Sequence, residues 1–201
     1  MAATSFQIEE RGESRIVRLQ SDDSTNRLVI ECVVTLTGAI QELARSERPL
    51  VFAGNGKFFS AGADLAEIFA LDASSAQEFS RIGQRLMNVI DQFPAPVYAA
   101  ISGYCMGGGL DLALACRYRI ASRDAIFGHR GAALGLITGW GGTQRLPRVI
   151  GKGRALAMFV SAEKVTAEQA FQIGLVNAIS DDPEREAIRQ MERGPARGNN
   201  S

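Results

Sequence analysis

Apolar residues recur along the chain with two different periods, and the switch between them predicts an order of elements. Phe6 and Ile8, then Ile16, Val17 and Leu19, flank Arg11-Gly12-Glu13-Ser14, as the two arms of a β-hairpin would. Residues 33–44 place Val33, Leu36, Ile40 and Leu43 on one helical stripe. Pro49 to Ala53 is a short apolar run closed by glycine, which predicts a buried parallel strand, with a loop over 54–62 after it. A long amphipathic helix is predicted over 75–93, turning Phe79, Ile82, Leu86, Val89 and Ile90 inward. Pro94 and Pro96 stop it.

The second half repeats the alternation. Val97 to Ile101 reads as a buried strand, the glycines at 107–109 as a turn, and Leu110 to Ala115 as a short helix. Tyr118 to Ala121 and Ala125 to Gly128 read as extended. A glycine-rich stretch over 135–142 leads to a helix near 154–160 and another beginning at Thr166, where Thr166-Ala167-Glu168-Gln169 has capping-box spacing. Strands without polar alternation, interleaved with helices, predict an α/β fold whose mostly parallel sheet is covered on both sides. Arg193 to Ser201 is polar and expected to be disordered.

Composition narrows the classes. The 201 residues suffice for one domain with a sizeable core, and 22 basic residues balance 22 acidic ones. That balance predicts no nucleic-acid or anionic-membrane partner. No apolar run reaches the length of a membrane span. Met1 to Glu10 lacks a basic segment followed by an apolar core, so no secretory signal is expected and the location is expected to be cytoplasmic. Cys32, Cys105 and Cys116 lie in apolar stretches and read as reduced core thiols.

Candidate chemistry lies in the glycines. There are 21, and two clusters, 60–62 and 107–109, follow a predicted strand and precede a helix. Ligands of open α/β sheets sit at such strand ends, where helix N-termini offer unpaired N–H groups. No phosphate-binding loop ending in Gly-Lys-Ser/Thr, no dinucleotide fingerprint and no nucleophile elbow occurs. His129 is the only histidine, so a histidine-rich metal site is excluded.

Three segments carry a resemblance: Phe59-Ser60-Ala61-Gly62-Ala63-Asp64-Leu65, Ile101-Ser102-Gly103-Tyr104-Cys105-Met106-Gly107-Gly108-Gly109-Leu110-Asp111-Leu112-Ala113, and Gly135-Leu136-Ile137-Thr138-Gly139-Trp140-Gly141-Gly142-Thr143-Gln144-Arg145-Leu146-Pro147. In this order the chain resembles the enoyl-CoA hydratase/isomerase (crotonase) family up to about residue 180, including Ala170 to Asn177. The resemblance implies a crotonase-like spiral of βαβ units with a shortened C-terminal helical region. It divides the chain into an acyl-CoA-binding core over 1–180 and a helical remnant with a polar tail over 181–201. It implies that the N–H groups of Ala61 and Gly108 grip the oxygen of an acyl-CoA thioester, with no cofactor beyond the CoA of the substrate. Ala63, Asp64, Leu65, Gly107, Leu134 and Gly139 are the further substrate or CoA contacts. Phe69, Leu71, Leu134 and Trp140 are expected in the acyl-pocket wall. A homotrimer or hexamer is the implied assembly.

The sequence departs from the family pattern at its acids. Hydratases of the family use two glutamates; the first position is Asp111 here and the second is Gly131. Asp111 falls in the first turn of a helix, where the dipole alone would favour a carboxylate; a role as general acid or base is the functional reading. His129 is a candidate substitute for the missing acid: if 127–131 is extended, it projects to the side of position 131. Arg130 then faces the other way. Family members run further at the C-terminus, with helices that cover the pocket, so a more open pocket is expected, with Met158, Phe159 and Val160 as an exposed apolar face. The expected reaction is hydration of a 2-enoyl-CoA or isomerisation of an enoyl-CoA double bond. A non-catalytic acyl-CoA binder and a thioester decarboxylase or hydrolase remain open.

Overall fold

The computed structural model describes residues 4–193; the tail expected to be disordered lies outside them apart from Arg193. The hairpin forms as read, β1 (Thr4–Arg11) against β2 (Ser14–Ser21). A two-residue strand β3 (Arg27–Leu28) leads into α1 (Ile30–Leu43), whose Val33, Leu36 and Ile40 are fully buried. Next comes β4 (Leu50–Ala53), buried at every position. The expected loop contains two short strands, β5 (Phe58–Ser60) and β6 (Gly62–Ala63). A short helix, α2 (Leu65–Phe69), precedes the long α3 (Ala73–Asp91), which starts two residues earlier than read because Asp72 and Ser75 cap each other's backbone.

The order then repeats with β7 (Val97–Ile101), β8 (Tyr104–Met106) and α4 (Gly108–Ala115), followed by β9 (Tyr118–Ala121) and β10 (Ile126–Gly128). Two helices, α5 (Gly142–Ile150) and α6 (Lys152–Ser161), come next. The first of them runs through Pro147 and has no counterpart in the sequence reading. A two-residue β11 (Val165–Thr166) leads to α7 (Ala167–Gln172), where Thr166 and Gln169 form the expected capping box. The chain continues through β12 (Ala178–Ile179) to α8 (Pro183–Glu192).

The topology is a spiral. Six strands pair in the order β1-β2-β4-β7-β9-β12, parallel except for the hairpin. A second sheet, β11-β10-β8-β5, runs beside it, with β5, β8 and β10 parallel. Each turn lays one strand in the large sheet and one in the small sheet before its helices return the chain. The glycine-rich strand ends of the small sheet, Ser60, Met106 and Gly128, therefore fall side by side. That juxtaposition makes the site.

The main core lies between the large sheet and α1, α3 and α4, with Phe52, Leu36, Leu86 and Leu112 fully buried. A second, smaller cluster of Ile16, Val51, Tyr98 and Ile120 lies on the opposite face and is covered by Ala187 of α8. Arg18 of β2 fixes this cover by gripping both carboxylate oxygens of Glu184, at 2.8 and 2.9 Å. The three cysteines are free and buried, as read. Of the expected exposed face near α6, Val160 is 70% exposed, but Met158 is 6% exposed because it turns into the core. Among the described residues no helix is long and apolar enough to cross a membrane.

Candidate functional site

The first wall of the site is the turn from β8 into α4. Gly107 has φ 49°, a left-handed conformation that side chains avoid, and lets the chain reverse into the helix. All eight residues of α4 are buried. Gly108 opens the helix, where an N–H has no carbonyl one turn behind it to receive its hydrogen. A Cβ on Gly108 would press within 2.6 Å of the Trp140 ring, and one on Gly109 within 2.7 Å of Ser60. Glycine at both positions lets the helix start lie flat against its neighbours.

The second wall is the segment 60–65, held by Ser60, which donates to the Asn26 carbonyl at 2.7 Å and accepts from the N–H of Gly62 at 3.1 Å. Here one expectation is corrected. The N–H of Ala61 donates to the Thr25 carbonyl at 2.9 Å and is not free to hold a substrate oxygen. The amide nitrogen of Ala63 lies close to Gly108 instead, 3.1 Å from where a Cβ on that glycine would sit. Asp64 is likewise occupied. It caps α2, accepting from Ala66 and Glu67, and pairs with Arg27 at 2.8 Å. Ala61, Ala63 and Leu65 line the cavity; Asp64 does not.

The third wall is the segment 128–142, and it also differs from the reading. The chain is extended only to His129; residues 130–134 coil into a 3-10 turn ended by Gly135 at φ 70°. His129 and Gly131 therefore do not share a face by strand alternation, and Arg130 lines the cavity where it was expected to face away. Position 131 has no room for an acid. A Cβ there would sit 2.7 Å from the Leu136 carbonyl, and the Leu136 N–H donates to the Gly131 carbonyl at 2.8 Å. The turn has closed over the place where a second acid would stand.

Asp111 lies where the walls meet. It is 1% exposed, and its Oδ2 accepts from the Thr138 hydroxyl. Burial pushes its carboxyl up to about 7, against the opposing pull of Thr138, Arg145 and the backbone of Gly142. His129, 4% exposed, presents Nε2 at 3.5 Å from Asp111 Oδ1. Burial lowers this imidazole to about 4. The separation admits an ion pair but the geometry makes no hydrogen bond, so both atoms are buried without a partner. Phe159 backs the imidazole at a ring separation of 5.0 Å.

Around this polar floor is a cavity of about 470 Å³ with apolar walls, among them Leu65, Leu71, Leu136, Ile137 and Trp140. Gly107, Gly108, Leu134 and Gly139 line it too, whereas Phe69, expected in its wall, points to solvent. Trp140 stacks on Phe79 at 5.3 Å and donates from Nε1 to the Phe79 carbonyl at 3.3 Å. Its seat against α3 exists because Gly83 has no side chain to fill it. Thr138 and Gly142 belong to no local pattern that marks them as site residues. The one available signal was a hydroxyl residue set among the glycines of 135–142.

The model of the enoyl-CoA hydratase/isomerase family matches residues 12–194. The chain belongs to this family. Crotonyl-CoA hydratase of Syntrophomonas wolfei is 44% identical over 131 residues, covering 65% of this chain and 50% of that protein. A probable enoyl-CoA hydratase of Bacillus subtilis is 43% identical, covering 71% of this chain and 55% of its own length. This family member thus spans about half the length of these curated relatives. Among solved structures, enoyl-CoA hydratases of Bacillus anthracis and Thermoplasma volcanium both superpose with a TM-score of 0.88. They are 31% and 33% identical, and the matches cover 94% of this chain and 75% and 76% of theirs. These neighbours confirm the crotonase-like spiral expected from the motifs.

Proposed function

We propose that this chain binds an acyl-CoA thioester and catalyses enolate chemistry at C2, either hydration of a 2-enoyl-CoA or isomerisation of an enoyl-CoA double bond. The observation that carries this is the pairing of the Gly108 amide at an open helix N-terminus with a sealed carboxyl three residues on, both facing one apolar cavity. In this reading the thioester oxygen lies against the N–H of Gly108, and the adjacent amide of Ala63 takes the part first assigned to Ala61. Negative charge builds on that oxygen as a nucleophile adds at C3 or a proton leaves C2. One such donor, already in place, contributes about 3–4 kcal/mol to the transition state.

Asp111 moves the proton. A carboxyl raised to about 7 is present in both forms near neutral pH, as a general acid or base requires. Leu65, Leu134 and Gly139 contact the acyl and pantetheine portions; the only cofactor chemistry is that of the CoA already in the substrate. We extend the reading to a homotrimer or hexamer, and to the cytoplasm, where three buried free thiols stay reduced.

The test is hydration of crotonyl-CoA beside isomerisation of a 3-enoyl-CoA, with Asp111→Asn for comparison. Turnover that Asp111→Asn leaves unchanged removes Asp111 from the mechanism. The closed position 131 favours one second reading, a family member that binds acyl-CoA without turnover. Micromolar binding by calorimetry with no conversion of either substrate would establish it.

A further inference from the structure

Two buried polar atoms face each other at the cavity floor and neither makes a hydrogen bond, although the Gly142 backbone lies close enough to draw on the Asp111 carboxyl. Asp111 Oδ1 and His129 Nε2 are 3.5 Å apart, and among the described residues the only other buried side-chain atom left so is Asn26 Oδ1. An unpartnered buried polar atom is costly, so two placed together require an explanation. The surroundings hold the arrangement in place. The Thr138 hydroxyl occupies Oδ2 and so leaves Oδ1 turned to the imidazole. A Cβ on Gly142 would collide with Oδ1 and lie 3.1 Å from His129 Cε1, so α5 can abut the pair only through a glycine. Phe159 of α6 fixes the ring from behind. The charged group acting on Asp111 from α5 is Arg145, whose guanidinium is itself engaged by Asn88 at 2.8 Å; from β8 the neighbour is the neutral Cys105 thiol.

We propose that Asp111 and His129 form one acid–base pair holding a single exchangeable proton, with Thr138 as its positioning residue, so that His129 does the work for which position 131 has no side chain. The proposal rests on the enolate reading above. For hydration, the neutral imidazole takes a proton from water as the water oxygen bonds to C3. The C2=C3 electron pair moves to form the enolate, with its charge on the thioester oxygen. Protonated Asp111 then gives its proton to C2, and the enolate collapses to the thioester. The imidazolium returns its proton to the Asp111 carboxylate across the short gap. One water has been added and the pair is restored.

The chain has one histidine, so histidine labelled with ¹⁵N in the untagged full chain reports on this ring alone. The ring nitrogen signals and their titration are expected to differ between wild type and Asp111→Asn. His129→Gln is expected to bind acetoacetyl-CoA as wild type does but to lose about 10²- to 10⁴-fold in kcat on crotonyl-CoA. Thr138→Val is expected to lower kcat by up to about a hundredfold at unchanged KM, and to shift its pH profile; Thr138→Ser restores both. Identical ring signals in wild type and Asp111→Asn, or full turnover by His129→Gln, overturn the pair while leaving the enolate reading intact. A wild type that converts no enoyl-CoA overturns both.

Discussion

The large sheet and the 128–142 segment build their geometry by opposite means. In the sheet, β4 and β7 are buried at every position and each strand is specified by its own run of apolar side chains. In the segment that closes the site, His129 and Trp140 are the buried side chains between residues 129 and 141, and shape depends on glycines that let backbone approach carboxylate, ring and carbonyl. The sheet is therefore tolerant of exact identity so long as volume is kept. The site tolerates almost nothing added, because its contacts are already at van der Waals limits.

The contrast can be broken most forcefully from the sheet side. Phe52→Ala, at the centre of β4, is expected to cost about 3–5 kcal/mol of stability, read from urea unfolding. A milder change, Val51→Ala, would fall lower on the same scale. From the site side, Gly142→Ala adds one methyl group against Asp111 Oδ1. It is expected to reduce turnover by about a hundredfold through displacement of the carboxyl, with a smaller stability loss of about 1–3 kcal/mol. A Gly142→Ala enzyme with full activity would show that the glycine is not needed for approach.

Next in size is a dependence on pH. Asp111 is raised from 3.8 to about 7 in the folded chain, so it favours folding below pH 4 and that contribution is lost as pH rises to about 7. His129 is lowered from 6.5 to about 4, so its contribution is present above 6.5 and lost as pH falls towards 4. Between about 4 and 6.5 the two slopes oppose each other and stability is flattened. Asp111→Asn removes one slope and leaves the other. Its Tm should gain on wild type by several degrees as pH rises from 4 to 7, checked by thermal melts across that range. The smallest effect belongs to Ile137, which is 70% exposed at the cavity rim. Ile137→Ala should change stability by less than about 0.5 kcal/mol; on the proposed acyl-CoA reading it should also raise KM for longer acyl chains, a difference visible in steady-state kinetics.

The same division decides what could be read from the chain. The strands 50–53 and 97–101, the hairpin and the capping box at Thr166 are local patterns, and they formed where read. The five-residue α2 depends on a cap by Asp64 that is itself tied to Arg27, and the pairing of β5 with β8 joins residues far apart in sequence. Neither leaves a periodic trace. Pro147 hid α5, because a proline at the sixth of its nine residues leaves the Thr143 carbonyl without a backbone donor and so argues against a helix interior. At the cavity, the neighbouring positions of Gly108 and Asp111 were legible because the turn and the helix start are contiguous. The commitment of the Ala61 amide to Thr25, and the grip of Thr138 on Asp111, are encounters between distant segments. They become visible only once the spiral has wound.

The cover supplied by α8 has a consequence for how the chain is made. Ile16, Val51, Tyr98 and Ile120 form their sheet face from residues synthesised early, yet Ala187 and Glu184 that close over that face come near the end of the described chain. In synthesis from the N-terminus, Ile120 completes this face before α8 is made to cover it, so the apolar face meets water in the interval. During that interval Arg18 is held by Glu9 of the hairpin, and the grip on Glu184 that closes the face comes last.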